Sequence, residues 1–363
     1  MKLDYLVIGS GLFGSVFAYE MNKAGKHVAV WDKNSHLGGQ IYTKNMHGIN
    51  VHYYGPHIFH TNNKQIWDYV NKFADFNHFV NRPKVKHKGN IYSFPINLMT
   101  LYQLWGVTNP EEAQKQLELA RVPCENPSNL EEWILSQVGE EIYQKFIRGY
   151  TKKQWQRDPR DLPAFIIKRL PIRLTYDDNY YQDRYQGIPI GGYTQIIEKM
   201  LDGIEVELNR VFSPDYDWRQ IANKLVYTGP IDEFFQYELG TLEYRSLRFQ
   251  HVVSDGDYQG NAVINYTDEA VPHTRVVEHK HFEFGEQKRT VFTFEYPETW
   301  VIGKTPYYPI NDEVNNDLYR SYQAQARSCP DVIFGGRLGT YKYLDMDQVV
   351  GAAISVAKRE IGR

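Results

Sequence analysis

The sequence predicts an α/β protein: a Rossmann-like dinucleotide-binding domain that carries a helical insert and an antiparallel β-sheet substrate domain. Three observations predict it. Both ends of the chain read as strand, glycine turn and helix, a stretch between them is rich in helix formers, and a later stretch alternates apolar with polar residues. At the start, Leu3 to Ile8 is an apolar run of strand length, Gly9 to Gly14 a tight turn, and Ser15 to Ala24 a helix stopped by Gly25. His27 to Trp31 then supplies a second strand. Pro110 to Gly149 is rich in Glu, Gln, Leu and Ala, and its apolar spacing predicts helices, including one from Leu130 to Arg148. From Arg245 to Trp300 the alternation (AVINY, TRVVEHKHFEF, RTVFTFEY) has the period of antiparallel strands with one buried face. At the far end, Val332 to Phe334 is a short strand, Gly335-Gly336 a turn, and Asp347 to Ile361 a helix with Val350, Ala353, Ile354 and Ala357 at helical spacing. The two ends are therefore expected in one parallel sheet.

Composition narrows the function. The chain has 363 residues, 42% apolar and 23% charged, enough to bury a large core with two or three substructures. A net charge of −3 leaves no basic footprint for nucleic acid, so any phosphate recognised is expected on a small ligand. Cys124 and Cys329 are too few for a disulfide framework or a thiolate metal cage and fit free thiols in the cytoplasm. No cleavable apolar leader opens the sequence, and the longest apolar run, Val349 to Ala357, is too short for a membrane span. Aromatic residues reach 15%, with 28 tyrosines, which suits flat, ring-shaped ligands as well as packing.

The fingerprint Gly9-Ser10-Gly11-Leu12-Phe13-Gly14 follows a strand and opens a helix, the context that gives it meaning. Its first glycine permits the turn, the second lets backbone approach a pyrophosphate, and the third packs helix on strand, while helix N-terminal amides face the phosphate charge. Asp32, followed by Lys33 at the end of the second strand, is placed to accept hydrogen bonds from the adenosine ribose. Gly38-Gly39 adds the second glycine pair often found in FAD-binding proteins, and FGGR with the following Asp-Gln fits a loop and helix closing over a flavin. FAD is the expected cofactor. A single fingerprint leaves no dedicated second site for NADPH.

Longer motifs carry a resemblance. VIGSGLFG (7–14), YGPHIFHTNN (54–63), GYTKKQW (149–155), LPAFIIKRLP (162–171), DRYQGIPIGGYT (183–194), GNAVINYTD (260–268), TRVVEHKHF (274–282), PYYPIND (306–312) and FGGRLGTYKYLDM (334–346) together resemble the bacterial UDP-galactopyranose mutases from end to end. The resemblance implies an FAD-binding domain from 1–78, 191–236 and 309–363, a helical domain with a lid at 98–170, and a sheet domain from 79–97, 171–190 and 237–308. It also implies a UDP-galactose substrate and a homodimer.

The same resemblance assigns residues. Arg169 and Arg275 match the pair of arginines around the diphosphate, where a permanently charged guanidinium binds phosphate oxygens in a bidentate fork. Tyr150, Phe146, Thr151 and Trp155 match the uridine and sugar region, and Asn81 its edge. Tyr180, Tyr308, Tyr343 and Asp345 match positions around diphosphate and sugar; Asp345 equally fits the cap of the last helix. His57, Ile58 and His60 are implied along the flavin, and Arg337 near its pyrophosphate, with Tyr343, Asp345 and Met346 close by. His52, His57 and His60 do not read as a metal site, because no cysteine or paired carboxylate completes a first shell.

The implied reaction has no net redox change. The N5 atom of reduced flavin attacks the anomeric carbon and displaces UDP; the ring then opens and recloses as the furanose, with Arg169, Arg275 and His57 as the catalytic side chains. Such a product feeds galactofuranose-containing surface glycans. The competing reading is an FAD-dependent oxidoreductase of amine-oxidase-like type, built from the same nucleotide-binding grammar.

Overall fold

Alternation along the short N-terminal strands decides which layer each side chain joins. The computed structural model describes residues 2–164 and 172–362. It divides into two units, one of Met1–His78, Asp183–Ser246 and Glu298–Arg363, the other of Phe79–Gln182 and Leu247–Pro297. In the first, strand β1 (Leu3–Ile8) lies between β2 (Val28–Trp31) and Ala222–Tyr227, with Glu205–Glu207 and Val332–Phe334 at the edges. All neighbouring pairs run parallel, in registers such as Tyr5↔Val28, Leu3↔Ala222 and Leu225↔Val332. The two ends of the chain therefore share one parallel sheet.

Tyr5, Val7, Val28, Val30 and Val226 face a helical layer of α1 (Leu12–Lys23), Thr194–Leu201 and Met346–Ile361. Leu6, Ala29, Trp31, Leu225 and Tyr227 pack on the opposite face with Trp218. Burial on both faces is what a parallel sheet requires. Helix α1 begins at Leu12, inside the glycine motif, and not at Ser15, because Gly11 already takes the extended cap conformation and its carbonyl accepts from Ser15 N at 3.0 Å. Within the 54–63 motif, Phe59–Thr61 is a strand that pairs antiparallel with Tyr185–Gly187.

The second unit holds the hairpin of Asn90–Ser93 and Lys84–His87, Val263–Tyr266, Arg275–Glu278 and most of Arg289–Thr299 and Tyr244–Asp255, which follow one another in that order across one sheet. The pairing is antiparallel where the alternation predicts it, with one exception: Val263–Tyr266 meets Lys84–His87 in parallel. The helices Leu98–Trp105, Pro110–Ala120 and Leu130–Ile142 each start on an asparagine whose side chain accepts from the first-turn amides, namely Asn97, Asn109 and Asn129. The helix expected from Leu130 to Arg148 is broken at Gly139 (φ 76°, ψ 178°) and continues after Ile142 as a π-helical segment, Tyr143–Arg148, before Gly149–Trp155. A Cβ at Gly139 would lie 2.0 Å from the Ala120 carbonyl, so backbone packing, invisible to periodicity, imposes the break. The helical insert and most of the antiparallel strands lie in this one unit. Among the described residues no helix is long and apolar enough to cross a membrane.

Candidate active site

The first unit contains a cleft whose floor is the glycine turn between β1 and α1. Gly9 sits at φ 105°, and a Cβ there would strike Thr228 Oγ1 at 2.1 Å. A Cβ on Gly14 would lie 2.0 Å from the Gly9 carbonyl, so the helix can approach the turn only without one. At Gly11 a Cβ would meet nothing within 4 Å: the backbone there faces open space with the α1 amides beside it, the cradle a pyrophosphate needs. Asp32, 4% exposed, accepts from Ser10 N (2.7 Å), Ser10 Oγ (2.6 Å) and Asn34 N (2.8 Å). A carboxylate offers about four acceptor positions, so three donors fix its orientation and leave capacity for a ribose hydroxyl. Gly38 and Gly39 close the turn, with Gly38 bridged to Gly11.

Leu12, Phe13, Lys33, His57, Arg337 and Met346 line the same cleft. His57 Nδ1 donates to Gly55 O at 2.8 Å, so in the neutral ring Nε2 is the acceptor. Its backbone N–H donates to His52 Nδ1 at 3.1 Å. Burial, and then the neighbouring His57, push the His52 pKa down to about 3, so a neutral imidazole anchors the loop. His60 and Ile58 do not line the cleft: His60 Nδ1 is 2.6 Å from Asp183 Oδ2, and Ile58 is buried. Of the histidines at 52, 57 and 60, only His57 lines the cleft.

Sequence reasoning missed a second set of lining residues. Arg210, Val211 and Phe212 follow the edge strand Glu205–Glu207, Thr228 to Pro230 follow Ala222–Tyr227, and Thr305 to Tyr307 complete the wall. Arg210 donates its backbone N–H to Asp32 O at 2.8 Å, and its guanidinium lies 4.5 Å over the Trp31 ring. The run KLVYTGP carried a usable signal, an apolar strand ending in a small-residue turn; Arg210 carried none.

Tyr308 and Tyr343, also in the first unit, stack at 5.6 Å with planes 27° apart, and the Arg337 guanidinium lies 5.0 Å over Tyr343. Arg337 Nε donates to Leu344 O at 2.7 Å. Asp345 is the N-cap of Met346–Ile361, where its backbone N–H donates to Gln348 Oε1 at 3.0 Å. The helix thus starts at Met346, one residue before the expected Asp347.

The second unit brings together two more pairs. Arg275, the first residue of its strand, donates from Nη2 to Tyr150 OH at 3.2 Å and lies 3.9 Å from Glu295 Oε1. Asn81 O accepts from Tyr180 N at 2.8 Å, and the buried Asn81 Oδ1 has no protein partner among the described residues. Tyr180 itself is exposed. Thr151 is buried on the helix that carries Tyr150, and Trp155 ends that helix against the helical core. Phe146 belongs to that core, 4% exposed and edge-on to Tyr92 at 5.2 Å. Arg169 and the expected lid around it lie outside the described residues. Asp257, Glu278 and His281 place ligand-type atoms near one another, but Glu278 already accepts from the amides of Tyr258, Gln259 and Gly260, and Lys280 pairs with Asp257.

A parallel sheet with a glycine-lined cleft and an oriented carboxylate just after its second strand defines a dinucleotide-binding protein, and a model of the NAD(P)-binding Rossmann-like domain matches residues 7–73. The UDP-galactopyranose mutase family model matches residues 145–343, more than half of the chain. A probable UDP-galactopyranose mutase of Klebsiella pneumoniae is 41% identical over 98% of this chain and 94% of its own. A dTDP-fucopyranose mutase of Escherichia coli is 40% identical over 97% of each chain. Among solved structures, reduced UDP-galactopyranose mutase shares the fold with a TM-score of 0.76 at 15% identity, covering 99% of this chain and 96% of the other. The chain belongs to the UDP-galactopyranose mutase family of isomerases.

Proposed function

We propose that this protein interconverts UDP-galactopyranose and UDP-galactofuranose in the cytoplasm with FAD as its cofactor, acting as a homodimer in the supply of galactofuranose for surface glycans. The single observation that carries the reading is the Arg275–Tyr150 pair, a guanidinium hydrogen-bonded to a phenol at 3.2 Å within the stretch matched by the family model. Phosphate charge and planar base are the two features a nucleoside diphosphate presents, and this pair answers both.

FAD suits the cleft because the open face at Gly11, the α1 amides and the oriented Asp32 carboxylate supply pyrophosphate and ribose contacts. Bound and reduced, FAD would supply through N5 the nucleophile for the anomeric carbon. The side chains do the rest. Arg275, with Arg169, holds the diphosphate and neutralises its charge as the bond to the sugar breaks. Tyr150 orients the Arg275 fork while presenting its ring to the base, and Asn81 Oδ1 accepts a hydrogen bond from the nucleotide. His57, its Nδ1 proton committed to Gly55 O, keeps Nε2 as an acceptor at the cleft wall.

Alanine at 169 or 275 is expected to lower the rate at saturating substrate by about 10²- to 10³-fold, the scale of losing a donor aimed at developing charge. A rise in KM with kcat unchanged would assign the arginines to binding alone. A second reading is favoured by the near-equal identity of the dTDP-fucopyranose mutase relative: the substrate is a dTDP-linked 6-deoxyhexose. Chromatographic comparison of turnover on UDP-galactose and dTDP-fucose separates the two. Preference for UDP-galactose supports the proposal, and preference for dTDP-fucose replaces it.

A further inference from the structure

One half-buried cation takes no part in the chemistry above. Lys153 lies on the helix Gly149–Trp155, one turn after Tyr150, and its Nζ donates to four backbone carbonyls of a single loop: Tyr266 (2.7 Å), Asp268 (2.9 Å), Val271 (3.0 Å) and His273 (2.9 Å). An ammonium has three N–H donors, so at least one is shared and the loop is wrapped around the charge. Burial pushes the Lys153 pKa down to about 8, with Asp268 and Glu269 opposing the shift, and the group keeps its proton at neutral pH.

Two further contacts bind the same loop to the same helix. A Cβ on Gly149 would lie 2.1 Å from Thr267 O, so the helix backbone sits against the loop in a way only glycine allows. Glu269 is held at 3.1 Å by both Arg148 and Lys152. The loop ends at His273, two residues before Arg275, whose guanidinium reaches back to Tyr150. Helix and loop thus form a closed circuit, Tyr150 to Arg275 at one end and Lys153 to the carbonyls at the other.

We infer that Lys153 is a positioning residue: its ammonium, caged by four carbonyls, fixes the 266–273 loop on the helix and so sets the placement of Arg275 relative to Tyr150. The inference rests on the assignment of Arg275 to the diphosphate. A surface ion pair such as Lys152–Glu269 is exposed and worth little by comparison. Charge-assisted hydrogen bonds to four carbonyls of one loop are the stronger restraint, and removing the cation takes the shared charged donor from all four.

The test is a double-mutant cycle on the reduced holoenzyme with Lys153→Met, Arg275→Ala and the pair, read as kcat and KM for UDP-galactose, with flavin content and melting temperature checking the fold. Misplacement by about 1 Å costs on the order of 100-fold in rate, so Lys153→Met is expected to lower kcat by about 10- to 100-fold. The double variant is expected to be no slower than Arg275→Ala, because both changes disable one device. Lys153→Arg, which keeps a charge and several donors, is expected to recover part of kcat and serves as the variant of record if Lys153→Met does not fold. Multiplicative losses in the cycle, or an unchanged kcat in a folded Lys153→Met, would overturn the inference. If Arg275→Ala itself retains full activity, the diphosphate assignment fails instead.

Discussion

Gly14 shows how little room a single position allows. With a Cβ 2.0 Å from the Gly9 carbonyl, Gly14→Ala must push α1 off the turn, an overpacking cost of about 1–3 kcal/mol. The variant is expected to melt lower and to retain less flavin after purification; wild-type flavin content would contradict the close packing. His52 gives a pH signature. Its pKa falls from 6.5 in the unfolded chain to about 3 in the fold, so between those values the unfolded state binds the extra proton. Stability contributed by neutral His52 is full above 6.5 and is lost as pH falls toward 3, at up to about 1.4 kcal/mol per pH unit. Denaturation of His52→Asn across that window is expected to show a shallower acid slope than wild type, and parallel curves would refute the assignment. At this scale Asp32 and the glycine turn were legible because a short motif fixes their neighbours. Arg210 was not, since a lone arginine after an edge strand carries no pattern.

Helices and strands were legible wherever one period ran unbroken. β1, β2 and the last helix came within a few residues of their observed ends, and the capping role of Asp345 accounts for the shift at Met346. Periodicity failed where a backbone contact overrides it. The helix from Leu130 stops being regular at Gly139 because Ala120 packs against it, and no spacing of apolar residues reports a contact between two backbones. The parallel seam between Val263–Tyr266 and Lys84–His87 was hidden for a related reason: the partners lie far apart in sequence, and alternation gives a strand's face but not its neighbour. Asn129 offers a test at this scale. Its side chain accepts from Glu132 N at 3.0 Å, so Asn129→Ala is expected to cost about 1 kcal/mol in urea unfolding without altering kcat. An unchanged midpoint would show that the cap contributes nothing.

For the molecule as a whole, the sequence motifs reported the dinucleotide cleft more fully than the second unit, because a glycine fingerprint has one geometric meaning while an aromatic residue has several. Phe146 illustrates the difference, since a ring matched to the base region lies in the helical core. One unit carries the dinucleotide cleft, and the other carries Arg275, Tyr150 and Asn81. The proposed isomerisation depends on the electrons of the cofactor and is independent of oxygen. An amine-oxidase-like enzyme would instead consume oxygen and alter its substrate's oxidation state. The most direct measurement is anaerobic incubation of UDP-galactose with dithionite-reduced and with fully oxidised protein, followed by chromatography. Appearance of a nucleotide-sugar isomer of equal mass with the reduced protein alone is the expected result. Equal conversion by the oxidised form, or an unchanged substrate with reduced, flavin-loaded protein, would contradict it.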